Sequence, residues 1–212
     1  MRTAVIGLGN IGSRVAANLI AGGEPVLVAD HGPTKAADFA KGSGGKARAV
    51  SVANAIGEAD IIIFALYFDV IKELLAEYRS KLTGKIVVDP SNPIAPDGAG
   101  GFKKIIPQDQ SSGQILAKLL PPGAQFVKAF GTLVAASLTS GAWRTPEPNV
   151  LFYASDDEDA GNAVAALIKQ SGFAPVRVGG VDKSIRIEAF GDLHQLGKLG
   201  RLVTAKEAAS LV

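Results

Sequence analysis

The chain has 212 residues, 47% of them hydrophobic, with 22 basic against 20 acidic side chains. That near balance of charge leaves no basic stripe for nucleic acid, the lack of cysteine excludes disulfides and thiolate metal sites, and two distant histidines, His31 and His194, offer no metal-ligand spacing. A chain of this length buries roughly 70% of its unfolded surface, enough core for one large or two small domains.

The chain starts with a β-type run at 3–7, which enters Gly7-Leu8-Gly9-Asn10-Ile11-Gly12 and continues as an amphipathic helix at 11–21 carrying Val15, Ala16, Leu19 and Ile20. Strand, glycine turn and helix in that order form a dinucleotide fingerprint. Gly7 allows the tight turn, Gly9 lets backbone approach a pyrophosphate, Gly12 lets helix pack on strand, and the helix N-terminus offers free N–H groups. A second strand, 26–30, ends at the acid Asp30, 18 residues after Gly12, where a ribose acceptor belongs. A helix at 34–41, a short strand at 49–50 and a helix at 52–56 lead to the run 61–66. That run is apolar on both faces, as a central parallel strand beside the first requires.

A helix at 70–82, with Ile71, Leu74, Leu75 and Tyr78 on one face, precedes the strand 85–89, which Pro90-Ser91-Asn92-Pro93 closes sharply. A long polar connection, 95–110, containing Asp97-Gly98-Ala99-Gly100-Gly101, reads as a lid or simply a loop. A helix at 112–119 and a sixth strand at 125–129 follow. After Pro146 and Pro148 come a strand at 149–154, an acidic turn at 155–159, a helix at 160–171, a strand at 174–178 and a helical stretch from Lys183 onward. The expected architecture is α/β: a doubly wound parallel sheet over residues 1–145 with a small C-terminal α/β extension over 146–212. The first strand starts at residue 3, so no signal peptide is expected, and the apolar run 61–68 falls far short of the roughly 20 residues of a membrane span. A cytoplasmic protein with neither membrane nor nucleic-acid partner is the expectation.

Asp30 reads as a ribose acceptor ahead of a solvated strand end, and Asp89 as a turn residue ahead of a catalytic acid. Ser91 and Asn92, at the exit of the fifth strand, stand where ligands bind open α/β sheets, so polar contact to a nicotinamide or ribose is expected of them. His194, in an apolar helical stretch, reads as a packed or interface histidine ahead of a proton shuttle. The acidic run 155–159 reads as a helix cap, not a metal site. No catalytic side chain and no metal ligand is assigned.

The fingerprint, Lys85-Ile86-Val87-Val88-Asp89-Pro90-Ser91-Asn92-Pro93, Val127-Lys128-Ala129-Phe130-Gly131-Thr132-Leu133 and Ser155-Asp156-Asp157 occur in one order over nearly the whole chain. In combination they resemble the NADP oxidoreductases dependent on the deazaflavin coenzyme F420. The resemblance implies a Rossmann domain, a nicotinamide cofactor across the strand ends, a second redox partner stacked on the nicotinamide, and a homodimer. By position it makes Gly7 to Gly12 (Gly7, Leu8, Gly9, Asn10, Ile11, Gly12) the diphosphate loop and Ala65, Leu66 and Tyr67 the exit of the fourth strand. Gly131, Thr132, Leu133, Val134 and Ala135 become the segment facing the second substrate.

Two departures stand out. Where the family usually carries a small hydroxyl residue and an arginine for the 2′-phosphate, this chain has Asp30-His31-Gly32-Pro33-Thr34-Lys35. The acid favours NAD, while His31 and Lys35 remain able to hold the phosphate of NADP if Asp30 turns away. Gly131 stands where relatives commonly carry Asn or His, so the slot over the nicotinamide is expected to be wider or less polar. The expected function is hydride transfer between NADP(H) or NAD(H) and a planar small-molecule carrier such as coenzyme F420. The alternatives are a dehydrogenase or imine reductase acting on a small metabolite and a nonenzymatic NAD(P)-binding redox sensor.

Overall fold

The computed structural model describes residues 1–212, the side chain of Pro33 excepted. The first half alternates strand and helix: β1 (Thr3–Ile6), α1 (Gly12–Ala21), β2 (Val26–Ala29), α2 (Pro33–Lys41), β3 (Ala47–Ala49), α3 (Val52–Glu58), β4 (Ile61–Phe64), α4 (Phe68–Glu77) and β5 (Ile86–Asp89). After β5 come a hairpin of β6 (Ile94–Pro96) and β7 (Phe102–Lys104), then α5 (Ser112–Ala117), β8 (Gln125–Lys128) and α6 (Ala135–Ser140). The remainder is β9 (Val150–Ser155), α7 (Glu158–Gln170), β10 (Ala174–Arg177), α8 (Ser184–Ile187) and α9 (Ala205–Ala208).

The main sheet has the order β10-β9-β8-β5-β4-β1-β2-β3. From β3 to β8 every pairing is parallel; β9 joins β8 antiparallel, and β10 joins β9 parallel. β1 lies between β2 and β4. The chain therefore reverses its direction of winding there, which opens a crevice outside the carboxyl ends of β1 and β4. Residues 146–212 add their two strands to this same sheet.

Side-chain alternation explains why the central strands are apolar throughout. Val5, Val28, Ile63, Val88 and Val127 face one core with Val15 and Leu19 of α1 and Val164, Leu167 and Ile168 of α7. Ala4, Ile6, Leu27, Ile62, Phe64 and Val87 face the other with Ile56 of α3, Ile71 and Leu75 of α4 and Leu116 of α5. A third cluster joins Val150 and Phe152 to Ile187, Leu193 and Val203.

Two expectations are corrected. The connection at 95–110 holds the antiparallel β6–β7 hairpin, whose tip is closed by Asp97 Oδ1 accepting from Ala99 N at 2.7 Å and Gly101 N at 2.9 Å. The region from Lys183 onward is not a continuous helix. α8 and α9 are one turn each, and the chain between them runs as an irregular strap. Gly197 shows the reason: a Cβ there would lie 1.8 Å from Gly191 O, so backbone packs directly on backbone in a coil no helix can form.

Candidate functional site

The fingerprint glycines divide into two kinds. Gly7 has φ +92, and a Cβ on it would lie 2.4 Å from Ala65 O, while a Cβ on Gly12 would lie 1.8 Å from Gly7 O. These two shape the loop and bring it against the β4 exit. Gly9 is different: a Cβ there would meet nothing within 4 Å. Its absent side chain leaves open space outside the protein. Among the described residues, the N–H groups of Gly9, Asn10 and Ile11 donate to no protein acceptor. Three free donors at the start of the ten-residue helix α1 form a nest for an anion. Arg14 Nη1 donates to Asn10 O at 2.7 Å and sets a cation beside that nest, a contribution the fingerprint alone does not disclose.

Asp30 stands beyond β2, and its Oδ2 accepts from Leu8 N at 2.7 Å. Lys35 Nζ is 3.8 Å from the same oxygen. Asp30 thus braces the loop with one carboxylate oxygen, while the other accepts from no protein donor among the described residues. Tyr67 caps the start of α4 at the β4 exit with its side chain largely exposed, and Leu66 and Ala65 pack close to Gly7.

At the next strand exits the side chains hold one another. Asp89 and Lys128 are partners in the β5–β8 register, with Lys128 Nζ 2.6 Å from Asp89 Oδ2 and both fully buried. Glu188, also buried, sits 3.7 Å from Lys128 Nζ and accepts from Ser112 N, Ser112 Oγ and Gly113 N at 2.9–3.0 Å. Lys128 also donates to Ser112 Oγ at 2.8 Å and to Ser91 O. Two carboxylates around one ammonium are tolerable out of water because helix-start amides and hydroxyls share the remaining charge. Asp89 Oδ1 accepts from Ser91 N at 2.7 Å, the turn role expected of it.

Asn92 departs from expectation. Its Nδ2 donates to Gly131 O at 3.0 Å and its Oδ1 accepts from Ala189 N at 2.6 Å, so both polar atoms hold the protein together. Ser91 differs: it is buried and its Oγ has no protein partner, leaving one hydrogen-bonding group beneath the edge. Thr132 Oγ1 is in the same state beyond β8.

Gly131 does not widen a slot. A Cβ on it would lie 2.4 Å from Pro90 O, so the residue is small because the β5 and β8 exits touch through their backbones. Its carbonyl takes a second donor, His194 Nε2 at 2.9 Å. His194 Nδ1 accepts from Leu196 N at 2.8 Å, which places the ring proton on Nε2. Burial is the main reason its pKa falls to about 4; the Gly131 carbonyl opposes the fall and the Lys128 charge adds to it. Such a histidine is neutral and packed. Gln195 completes the strap: its N donates to Thr132 O at 3.0 Å and its Oε1 accepts from Val134 N at 3.0 Å. Thr132 and Leu133 are buried, while Val134 and Ala135 at the start of α6 are half-buried.

The carboxyl edge therefore brings together the loop from Gly7 to Gly12, Asp30, Tyr67, Ser91 and the segment from Gly131 to Ala135. His31 and Lys35 flank Asp30 from outside, exposed. A cavity of about 670 Å³ opens at the opposite edge, lined by Arg2, Lys46, Arg48, Glu58 and Asp60. There Glu58 already pairs with both Arg2 and Arg48, and no fingerprint residue is near. Among the described residues no group of three His, Asp or Glu side chains is placed to hold a metal ion, and no helix is long and apolar enough to cross a membrane.

A family model described as NADP oxidoreductase, coenzyme F420-dependent, matches residues 2–93. A hypothetical protein from Sinorhizobium meliloti has a similar solved structure, with TM-score 0.82 and 33% identity over 92% of this chain and 93% of that one. A protein from Arthrobacter sp. FB24, described as an F420-dependent NADP reductase, shares the fold with TM-score 0.72 and 23% identity, covering 87% of each chain. Among curated proteins, the metalloreductase STEAP3 of Rattus norvegicus is 26% identical over 188 residues. That match takes in 89% of this chain and spans only 36% of the length of the rat protein.

Proposed function

Because residues 2–93 match a family model described as NADP oxidoreductase, coenzyme F420-dependent, we propose that the chain is of that family and moves hydride between NADP(H) and a planar redox carrier of the deazaflavin type. The observation that carries this reading is the open space over Gly9, with three unpaired N–H groups, at the point where the sheet reverses its winding. A pyrophosphate there takes its donors from Gly9, Asn10 and Ile11, with Arg14 adding positive charge. The free oxygen of Asp30 serves the adenosine ribose. Ser91 Oγ is the unspent polar group for the nicotinamide end, and Tyr67 borders it. The segment from Gly131 to Ala135 floors the neighbouring space for the carrier.

When both carriers are bound, the nicotinamide supplies a hydride, two electrons with one proton, and the carrier takes it up with one further proton from solvent. The chain's own residues need not exchange protons. Their work is to select a face, set the distance and exclude water, which suits a strand edge whose charged groups are spent on one another. The buried Asp89–Lys128–Glu188 cluster and the Asn92–Gly131–His194 contacts hold the β5 and β8 exits in one fixed relation.

Asp30 favours a second reading of the donor, since a carboxylate facing the ribose accepts a free 2′-hydroxyl and repels a 2′-phosphate. On that reading NAD(H) is preferred, while His31 and Lys35 are placed to hold the phosphate of NADP(H) if Asp30 turns away. The proposal also takes from the family a homodimer, which sedimentation velocity tests. The reaction is tested by mixing the protein anaerobically with NADPH or NADH and oxidised F420, then with flavins and quinones, while following nicotinamide absorbance. Oxidation coupled to F420 reduction supports the proposal. Tight nicotinamide binding with no oxidation by any of these carriers contradicts it and leaves a metabolite dehydrogenase, an imine reductase or a redox-sensing module.

A further inference from the structure

Phe190 is a bulky residue held at φ +72, a backbone conformation that L side chains rarely adopt. The strap around it over-determines that conformation. Ala189 N donates to Asn92 Oδ1 at 2.6 Å, and Gly191 N donates to Glu188 O at 2.8 Å. Gly197 packs so closely that a Cβ on it would lie 2.9 Å from the Phe190 carbonyl carbon. Glycine or asparagine would meet the backbone requirement without strain. A phenylalanine there is kept for its ring, and strained residues of this kind collect at functional sites.

Phe190 is 45% exposed, although Ala189 and Leu193 on the same strap are buried. Its place is fixed by its neighbours. Ala189 is bound to Asn92, just beyond β5, and Gln195 to Thr132 and Val134, just beyond β8. The strap thus crosses the exits of two adjacent strands and leaves Phe190 exposed between its two anchors. Leu196, 42% exposed, and Tyr67, 83% exposed at the β4 exit, add apolar surface on the same edge.

We propose that Phe190 is the residue on which the planar carrier stacks, and that its ring sets the preference for a flat tricyclic acceptor over a small aliphatic metabolite. This rests on reading the carboxyl edge as the hydride-transfer site. An exposed aromatic face favours offset stacking with another flat ring and offers no hydrogen bond to a carboxylate or amine. The strap's anchors fix the backbone that carries the ring beside the strand ends, as an approach of two carriers at fixed distance requires.

The test compares Phe190→Gly, Phe190→Leu and Phe190→Trp with the unaltered protein. The readouts are thermal melting, NADPH binding, and quenching of oxidised F420 and FMN fluorescence in the presence of NADP⁺. Phe190→Gly relieves the backbone strain, so it is expected to melt at the same or a higher temperature and to bind NADPH within about threefold. Its affinity for F420 is expected to fall at least about tenfold, Phe190→Leu to fall between the two, and Phe190→Trp to match the unaltered protein. F420 affinity and KM unchanged in Phe190→Gly, with turnover intact, overturn this assignment alone. Nicotinamide binding without any binding of F420 or FMN by the unaltered protein overturns it together with the reading it rests on.

Discussion

Leu8 N donates to Asp30 Oδ2 at 2.7 Å, tying the glycine loop after β1 to the end of β2. One oxygen of the carboxylate is therefore structural and the other is available to a ribose. Removing the charge while keeping an acceptor separates the two roles. Asp30→Asn can still accept from Leu8 N, yet no longer repels a 2′-phosphate, which carries about two negative charges at neutral pH. The ratio of NADPH to NADH affinity is expected to rise at least tenfold, about 1.4 kcal/mol. A ratio unmoved in equilibrium titration places the ribose away from Asp30.

Gly9 and Gly12 are expected to fail in different ways. Gly9→Val adds a side chain into open space, so the melting temperature stays within about 3 °C, while dinucleotide affinity falls at least thirtyfold, about 2 kcal/mol. Gly12→Val drives a Cβ into Gly7 O and destabilises the fold itself. Calorimetry on both variants distinguishes a ligand-facing glycine from a packing one.

Gly131→Ala tests the contact between the β5 and β8 exits. Because the added Cβ meets the Pro90 backbone and not a flexible side chain, a loss of about 2 kcal/mol is expected, with the Asn92 and His194 hydrogen bonds to Gly131 O weakened together. Denaturant unfolding at the wild-type midpoint would show no change if Gly131 instead lined an open slot.

His194 predicts a pH dependence. Its folded pKa, about 4, lies below the ordinary value of 6.5, so the unfolded chain takes up the proton first as pH falls. Its neutral form costs no stability above about pH 6.5; between there and about pH 4 the fold loses up to about 3 kcal/mol. His194→Gln keeps a donor toward Gly131 O and does not titrate. Its unfolding free energy is expected to decline less steeply across that window, measured against the unaltered protein in urea.

Much of this fold is legible in sequence, and the failures have physical reasons. The strands β1, β4 and β5 declare themselves because a sheet covered on both faces demands apolar residues at every position. The hairpin β6–β7 is hidden by its three-residue strands and by Asp97 to Gly101, whose turn chemistry reads as plain loop. The strap after α8 misleads because Ile185, Leu193, Leu196 and Leu199 look like one helical face. Glycines at 191 and 197 are there for backbone contact, a tertiary requirement that no local pattern expresses. In the site, the loop and Asp30 are readable from spacing, whereas the spent polar atoms of Asn92 depend on residues 39 and 97 positions away. Lys128 carried a signal: a lysine inside an apolar strand needs a buried partner, and Asp89 holds the matching end of the adjacent strand.

Lys128→Met is expected to leave Asp89 and Glu188 buried without their cation and to destabilise the protein by about 3–5 kcal/mol. Adding Asp89→Asn and Glu188→Gln should recover much of that loss, since the repulsion and desolvation are removed together. A triple variant no more stable than the single one would show that the cluster acts through packing alone.

The central claim is direct hydride transfer between two carriers held at one strand edge. It is tested most directly by NADPH deuterated separately on each face of the nicotinamide C4, reacted anaerobically with oxidised F420 on the protein. The account predicts that one stereoisomer delivers its deuterium to reduced F420 and the other retains it, with one equivalent of NADP⁺ formed per F420 reduced. Label lost to solvent from both isomers, or no transfer despite bound NADPH and F420, would contradict it.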